Sequence, residues 1–303
     1  MYDLIIIGAG PAGITAGIYA ARKKMNFLVI TEDIGGQAVW SSDIQNYTGY
    51  QFISGADLVE KFREHLEQFK VNVNKNEKAE DVIKDGDHII IRTNRGKYKT
   101  KTLIIASGRT PKEMGVKGEQ EFKNRGVTYC ATCDGPLFAD TDVAVIGGGN
   151  SAMDAALQLT RIAGRIYLID IADKFQADVV MAEKVKNDPK IKIFHKTRVK
   201  KIYGDKLVEG IQIEEEGIKD LPVQGVFVEI GSVPVSDFIE DIKKNKANEI
   251  IVNCRCETSI PGIFAAGDVT DVFSKQIIVA CGEGAKATLA AFEYLNTRRF
   301  ADE

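Results

Sequence analysis

Apolar residues recur along the chain in two matching stretches, each running from a strand-like segment through a glycine-rich turn into a helical segment. The first stretch, DLIIIGAGPAGITAGIYAARKKMNFLVI, starts at residue 3. The second starts at residue 142 with DVAVIGGGNSA, continues as a helical pattern over 150–162 and is followed by RIYLID. A buried strand followed by such a turn and a helix is typical of a βαβ unit that binds a dinucleotide. The pattern therefore predicts two nucleotide-binding folds in series.

The glycines of the first turn each have a separate predicted purpose. Gly8 permits the tight turn, Gly10 lets the backbone approach a pyrophosphate, and Gly13 lets the helix pack closely on the strand. The amino end of the helix that follows then faces the anion. Because the motif stands between a strand and a helix and opens a full βαβ unit, it predicts a dinucleotide site.

The remaining periodicity predicts further elements and two boundaries. Ser54 is expected to cap a helix, whose apolar face consists of Leu58, Phe62, Leu66 and Phe69. Helical patterns also cover 179–186 and 279–295, and short strand-like segments lie between them. The run TLIIASGRTP predicts a buried strand that leaves the first domain, and Gly231 with Pro234 mark a second boundary.

Length and charge narrow the class of protein. A chain of 303 residues is long enough for two domains, and 44% hydrophobic with 27% charged residues is typical of a globular protein. The net charge of −3 gives no general attraction to nucleic acid, so we expect none as a partner. No apolar run reaches the roughly 18 residues of a membrane span. The first residues enter a strand without a leader pattern, and we expect a cytoplasmic protein.

The cysteines indicate redox chemistry. Cys130 and Cys133 form a C-x-x-C, which in an α/β protein indicates a redox pair or half of a metal site. Zinc would need two further ligands, and the histidines, His65, His88 and His195, are isolated in sequence. We therefore predict a dithiol and no metal. The other cysteines, Cys254, Cys256 and Cys281, are expected to be packing residues.

Six motifs together resemble the low-molecular-weight thioredoxin reductase family of flavoproteins. They are GAGPAG at 8–13, GGQ at 35–37, ASGRTP at 106–111, GVTYCATCDG at 126–135, GGGNSA at 147–152 and TSIPGIFAAGDV at 258–269. The resemblance implies an α/β homodimer with two Rossmann-like, three-layer nucleotide-binding domains, one inserted in the other. Carried over to this chain, the FAD-binding domain comprises residues 1–113 and 246–303. The inserted pyridine-nucleotide-like domain, 114–245, carries the C-x-x-C.

The resemblance also implies a flavin site. Asp268 would accept hydrogen bonds from ribitol hydroxyls or orient a water on the phosphate, while Asn46 and Gln276 would lie beside the flavin ring. Glu32 or Thr31 would bind the adenosine ribose. The full set implied for FAD is Gly8, Gly10, Pro11, Ala12, Gly13, Glu32, Gly36, Gln37, Asn46, Gly108, Gly267, Asp268, Lys275, Gln276 and Ile277.

For the chemistry, the resemblance implies that electrons pass from reduced FAD into the disulfide and then, by thiol–disulfide exchange, into thioredoxin or a similar protein. Cys133 would face the flavin, Cys130 would attack the substrate disulfide, and Asp134 would transfer the thiol proton. One arrangement cannot serve both steps, so hinge motion is expected near residues 113 and 245.

The electron donor stays open at this point. Relatives that use NADPH carry a histidine and arginines after the second strand of the insert, whereas this chain has Asp170, Ile171, Ala172 and Gln176 there. An aspartate at that place repels a ribose phosphate. Asp170 follows the glycine turn by roughly 20 residues, the distance at which an acid binds the ribose 2′-hydroxyl of NADH.

The other donor to consider is reduced ferredoxin, which serves a branch of the family that lacks the NADPH motifs. We expect ferredoxin, because the chain matches that branch in what it lacks, and keep NADH as the alternative. A flavin-binding sensor without turnover is the alternative from another class. Relatives that transfer electrons between ferredoxin and NAD(P) lack the C-x-x-C, so Cys130 and Cys133 argue against that group.

Overall fold

The computed structural model of the chain describes residues 1–40, 44–215 and 217–297, without the side chains of Trp40 and Cys133. Its helices are α1 (Pro11–Arg22), α2 (Gly55–Glu67), α3 (Ala131–Asp134), α4 (Asn150–Leu159), α5 (Val179–Asn187) and α6 (Ile277–Thr297). Its strands are β1 (Tyr2–Ala9), β2 (Phe27–Ile34), β3 (Val73–Asn74), β4 (Ala79–Asp85), β5 (His88–Thr93), β6 (Gly96–Ile105), β7 (Arg109–Pro111), β8 (Val127–Thr128), β9 (Asp142–Ile146), β10 (Arg165–Ile169), β11 (Ile191–Phe194), β12 (Arg198–Gly204), β13 (Val208–Glu214), β14 (Ile218–Pro222), β15 (Gly225–Val228), β16 (Ser232–Pro234) and β17 (Ile263–Ala265). Within these residues, no helix is both long and apolar enough to span a membrane.

The chain divides into two compact units, of which the first is discontinuous. It comprises residues 1–110 and 233–303, and the second unit comprises 111–232. The first division lies close to the expected residue 113. The second follows the boundary predicted at Gly231 and Pro234 and differs from the expected 245/246. The reason is packing, because Ile239, Ile242 and Ile250 are buried in a core of the first unit.

The first unit is built on a sheet with strand order β3-β2-β1-β6-β5-β4, with β17 also paired to β6. β6 has three partners, because β5 pairs with it antiparallel and β1 and β17 pair with it parallel. Its residues 96–100 pair antiparallel with β5, and residues 100–105 pair parallel with β1. Successive side chains of β1 face opposite sides of the sheet. Leu4 and Ile6 pack with α1 and α6, whereas Ile5 and Ile7 pack on the other side.

The second unit contains a parallel sheet with strand order β11-β10-β9-β15-β8 and a separate antiparallel sheet, β12-β13-β14. Apolar residues of α4 and α5 cover one face of the parallel sheet. Apolar residues of the antiparallel sheet lie in the core on the other side. Each unit therefore places a layer on both faces of a sheet, which is the α/β arrangement that the sequence predicts.

The helix predictions are confirmed. Ser54 caps α2, because its hydroxyl accepts a hydrogen bond from the Asp57 N–H at 3.1 Å. α4, α5 and α6 lie where the apolar periodicity placed them, with ends that differ by a few residues. The two glycine turns connect β1 to α1 and β9 to α4, so each follows the central strand of a parallel arrangement.

Candidate functional site

Two of the three glycines in the first turn, Gly8 and Gly13, have no room for a side chain. Gly8 has a φ of +99°, and a Cβ there would lie 2.3 Å from the Ala106 carbonyl oxygen. A Cβ on Gly13 would lie 1.9 Å from the Gly8 carbonyl oxygen. Gly10 differs from both, because its backbone is extended and the nearest atom to an added Cβ is 4.0 Å away. The fold itself therefore tolerates a side chain at Gly10, and a closely approaching ligand explains why glycine stands there.

The helix starts at the two glycine turns differ from those of α2 and α5 in their caps. Ser54 caps α2, and Asp178 caps α5 through its carboxylate. α1 and α4 begin at glycine N-caps, Gly10 and Gly149, which supply no capping side chain. A helix start without a capping acceptor suits a phosphate, which accepts hydrogen bonds from the amides and is favoured by the helix dipole.

Asp268 lies beside the first turn. The preceding Gly267 has a φ of +79°, its N–H donates to the Glu283 carboxylate at 2.9 Å, and its added Cβ would lie 3.0 Å from the Ala12 Cβ. Burial raises the pKa of Asp268, and Lys275 and Arg109 oppose that shift. Within the part of the chain that the structure describes, the Asp268 carboxylate makes no hydrogen bond. It is therefore available to hydroxyl groups of a ligand or to a bound water.

The polar residues expected around the flavin ring form two separately bonded groups. The Asn46 side-chain amide donates to Gln276 Oε1 at 3.0 Å, and Gln37 Nε2 donates to the Arg109 carbonyl oxygen at 2.6 Å. Lys275 forms an ion pair with Glu249 at 3.1 Å, and Ile277 begins α6 immediately after Gln276. Gly36 and Gly108 have φ values of +53° and +67°. The structure thus brings Asn46 and Gln276 into contact from two distant parts of the sequence.

Two residues of this set were not expected from the sequence. Arg109 Nη1 pairs with Glu249 Oε1 at 2.9 Å, and both side chains are mostly buried. Arg109 belongs to the ASGRTP motif, which could have indicated it. Glu249 had no local signal, because its ion pairs form with residues far along the chain. Burial raises the pKa of Glu249, but hydrogen bonds to Asn245 and Lys275 lower it, and the net shift is downward.

The structure separates the two residues considered for the adenosine ribose. Thr31 is buried, and its hydroxyl accepts from the Ala9 N–H at 3.1 Å and donates to the Asp33 carbonyl oxygen. Glu32 is exposed on the opposite side of β2. Since the Thr31 hydroxyl is already bonded within the turn, Glu32 is the better candidate. Together with Pro11 and Ala12 at the start of α1, the residues present fit an FAD.

The C-x-x-C motif lies in the second unit, at the start of α3. Cys130 is disulfide-bonded, and the side chain of Cys133 lies outside the described part. The Thr128 hydroxyl donates to Asp134 Oδ2 and accepts from the Cys130 N–H. Thr128 lies in the GVTYCATCDG motif but was not among the expected site residues, and it connects Cys130 to the expected proton-transfer residue. The Tyr129 hydroxyl donates to Glu119 at 2.9 Å. Burial is the larger cause of its raised pKa, and the hydrogen bond to Glu119 raises it further.

The other cysteines divide by exposure. Cys256 and Cys281 are buried and free, and burial raises the pKa of each thiol, to about 11 for Cys256. Both fit the expected packing role. Cys254 is free and exposed, so its expected packing role is wrong. Residues 253–256 form a turn in which the Asn253 side chain accepts hydrogen bonds from the Arg255 and Glu257 amides.

The second glycine turn opens into a cavity of about 720 Å³. A Cβ on Gly147, whose φ is +139°, would lie 2.2 Å from the Glu229 carbonyl oxygen. Gly149, like Gly10, is extended and has 4.0 Å of space around an added Cβ. The cavity is lined by this turn and by residues that follow β10 and β15, including Asp170 and Glu229.

Asp170 has an unpaired oxygen in this cavity. The residue is 6% exposed, and its Oδ1 accepts from the Ala172 N–H at 3.1 Å. Its Oδ2 is buried without a hydrogen-bond partner among the described residues. A Cβ on Gly148 would lie 2.0 Å from Oδ2, so the carboxylate sits directly against the glycine turn. A buried carboxylate oxygen without a partner is costly unless a ligand donates to it.

The cavity wall also contains a cation that was not expected from the sequence. Arg198 begins β12 and contributes to this wall. The sequence predicts a pocket without positive groups, because Asp170, Ile171, Ala172 and Gln176 follow β10. The structure places these four residues in the cavity wall, but Arg198 contradicts the prediction for the cavity as a whole. Arg198 comes from a different sheet, so no local alignment could have indicated it.

The comparisons with known proteins agree with this geometry. The sequence profile of the family "Pyridine nucleotide-disulphide oxidoreductase" matches residues 2–284. The chain is 39% identical to "NADH dehydrogenase" of Bacillus subtilis, with 97% of this chain and 58% of that protein covered. It is also 39% identical to an alkyl hydroperoxide reductase component of Pseudomonas aeruginosa, with the same coverage. The chain thus spans somewhat more than half the length of the curated relatives it matches.

Solved structures match over nearly the whole of both chains. A thioredoxin reductase from Lactococcus lactis superposes with a TM-score of 0.90 at 34% identity, covering 98% of this chain and 100% of that one. A ferredoxin-flavin thioredoxin reductase from Clostridium acetobutylicum superposes with a TM-score of 0.56 at 32% identity, covering 98% and 99%. With the profile match extending over both units and both glycine turns, the chain belongs to the pyridine nucleotide-disulphide oxidoreductase family.

Proposed function

We propose that the protein is an FAD-dependent disulfide reductase that takes electrons from NADH and delivers them to thioredoxin or a thioredoxin-like protein. In the overall reaction, NADH, a proton and a substrate disulfide give NAD⁺ and a substrate dithiol. When bound, FAD supplies the two-electron relay between the nucleotide and the protein disulfide. The observation that most directly supports NADH as the donor is the Asp170 Oδ2 beside the second glycine turn, which has no hydrogen-bond partner among the described residues.

The residues of this chain divide the work between the two units. Gly10 and the uncapped start of α1 would receive the FAD pyrophosphate, with Asp268 accepting from hydroxyl groups and Glu32 from the adenosine ribose. Asn46 and Gln276, already bonded to each other, would hold the ring side. The similarity to thioredoxin reductases supports this assignment.

The dithiol would carry the exchange step. A Cys130 thiolate attacks one sulfur of the substrate disulfide and releases the other sulfur as a thiolate. Cys133 then attacks the mixed disulfide, which releases the reduced substrate and restores the Cys130–Cys133 disulfide. Asp134, whose carboxylate accepts a hydrogen bond from the Thr128 hydroxyl, would serve as the acid or base that transfers the thiol proton. Homodimer formation, implied by the resemblance, is part of the same proposal.

The carboxylate of Asp170 supports NADH over NADPH as the donor. A ribose hydroxyl can donate to Asp170 Oδ2, whereas the ribose phosphate of NADPH would bring negative charge against the same carboxylate. Ferredoxin, the donor expected from the sequence, needs no nucleotide cavity at all. It remains the second candidate because of the similarity to the ferredoxin-flavin enzyme. Because the cavity is present and holds an unpaired carboxylate oxygen, we rank NADH above ferredoxin, which is the reverse of the order expected from the sequence.

The donor is tested by mixing the oxidised holoenzyme anaerobically with NADH, NADPH or reduced ferredoxin and following flavin absorbance. We expect NADH to bleach the flavin fastest and NADPH to act only at much higher concentration. Equal or faster bleaching by NADPH would overturn the argument from Asp170. Bleaching by ferredoxin alone would return the assignment to the second candidate.

Asp170 itself provides a sharper prediction. Asp170→Ala should weaken NADH binding by about 10- to 100-fold, because a hydrogen bond to a charged group contributes about 1.5–3 kcal/mol. The same variant should narrow the preference for NADH over NADPH, since the repulsive charge is gone. The measurement is the NADH dependence of the flavin reduction rate. Asp173→Ala is the matched control, because Asp173 has the same charge but is exposed; a similar loss there would contradict the prediction.

A further inference from the structure

Glu229 lies in the nucleotide cavity on the side opposite to Asp170. The strand order β10-β9-β15 places the end of β9, and the glycine turn after it, between the two acids. The Glu229 N–H donates to the Ile146 carbonyl oxygen at 2.8 Å, and its own carbonyl oxygen packs against Gly147. Glu229 is one of the residues that line the cavity. The backbone around Glu229 is thus held by the turn that would receive the pyrophosphate.

This arrangement decides which half of a dinucleotide meets Glu229. In a fold of this kind the pyrophosphate lies at the glycine turn, and the acid after the second strand takes the adenosine ribose. Asp170 occupies that place, so the adenosine half extends over β10. The nicotinamide half must then extend to the other side of the turn, over the end of β15, where Glu229 stands.

We propose that Glu229 binds the nicotinamide half of NADH as an uncharged hydrogen-bond donor, and that NADH affinity falls when Glu229 ionises. This inference rests on the proposed use of NADH. A protonated carboxyl can donate to the carboxamide oxygen or to a ribose hydroxyl, whereas a carboxylate only accepts. The ionised group would also add a negative charge to a cavity that has to hold a pyrophosphate.

The surroundings keep Glu229 protonated at neutral pH. Burial raises its pKa to about 8, and the negative charge of Asp154 on α4 adds to the effect. The other charged groups of the cavity wall are Asp170 after β10 and Arg198 on β12. The segment that enters the unit contributes Met114 and Val116, which are apolar. The uncharged form therefore predominates below about pH 8, and the charged form above it.

The test measures binding and not turnover. The probe is 1,4,5,6-tetrahydro-NAD, whose ring is uncharged and cannot deliver a hydride, titrated calorimetrically into oxidised holoenzyme between pH 6.5 and 9.5. For the natural sequence we expect affinity about tenfold weaker at pH 9 than at pH 7, because the ionised form has to regain a proton to bind. Glu229→Gln keeps a donor of the same shape and should bind with little dependence on pH.

Two further variants separate a direct role from a structural one. Glu229→Ala should bind the probe more weakly than Glu229→Gln at pH 7, since it lacks the donor. Asp154→Asn should shift the midpoint of the natural pH profile downward, because it removes the charge that helps to keep Glu229 protonated. A merely structural role for Glu229 would give neither the flat profile of the glutamine variant nor that shift.

The outcomes distinguish this inference from the proposed function. If the probe binds the natural enzyme equally well from pH 6.5 to 9.5, or if Glu229→Gln keeps the natural slope, the role of Glu229 is refuted while NADH remains the donor. If the probe fails to bind at any pH, both the inference and the assignment of NADH are overturned. Flavin absorbance recorded in the same samples shows whether each variant retains its FAD and its fold.

Discussion

Replacing Cys133 with serine should abolish reduction of a thioredoxin disulfide while reduction of the flavin by its donor continues. The variant keeps a Cys130 thiol that can attack the substrate, but it lacks the second sulfur needed to release the product. We expect turnover to fall by at least about a thousandfold, as for loss of other nucleophiles that act as a unit. The measurement is insulin or dithionitrobenzoate reduction coupled to thioredoxin, beside anaerobic flavin bleaching.

The location of the lost step can be checked directly. In Cys133→Ser, Cys130 should accumulate as a mixed disulfide with thioredoxin, visible on a non-reducing gel, whereas Cys130→Ser should form none. Cys254→Ser is the control, because Cys254 is a free, exposed cysteine outside the motif. Substantial thioredoxin reduction by Cys133→Ser would refute the dithiol mechanism and favour a flavin-binding sensor or another acceptor.

Gly10→Ala should give a folded protein that has lost most of its flavin. An added Cβ meets no protein atom closer than 4.0 Å, and the extended backbone accepts any residue, so the fold should be unaffected. The methyl group would instead occupy the space through which a pyrophosphate approaches. We expect FAD affinity to fall about 10- to 100-fold, in line with overpacking that costs about 1–3 kcal/mol. Flavin content, measured by absorbance, and circular dichroism test the two parts.

Gly149→Ala is the matched variant in the second unit, with equal space around its added Cβ. It should remain yellow and lose flavin reduction by NADH, while reduction of the flavin by dithionite stays normal. The two variants thus assign one glycine turn to each nucleotide. Normal FAD binding by Gly10→Ala, or normal NADH reduction by Gly149→Ala, would contradict the assignment of that turn.

The features that the sequence predicted are local ones. The turn at Gly8–Gly13 and the cap at Ser54 depend on residues a few positions apart, so spacing alone indicates them. The α/β fold follows from the same repeated pattern. By contrast, the second unit boundary was misplaced by the resemblance because residues 239–250 return to the core of the first unit. That packing has no signature in the segment itself.

The missed site residues share a similar cause. Arg198 reaches the cavity beside the second glycine turn from a separate sheet, and Glu249 is joined to Arg109 across a long stretch of sequence. Glu229 looks like an ordinary polar residue at the end of a strand. Its raised pKa results from burial, which only the folded chain creates. Asp170 could therefore be found from its characteristic position after the glycine turn, whereas the acid on the other side of the turn could not.

The discontinuity of the first unit has a consequence for biosynthesis. Its sheet is completed only when β17 pairs with β6, and α6 must arrive before α1 has its full set of apolar neighbours. Both elements follow the second unit in sequence and are therefore synthesised after it. The second unit is continuous in sequence and can finish its own sheets earlier. The part of the first unit that precedes the second must therefore keep apolar surface uncovered until β17 and α6 have been synthesised.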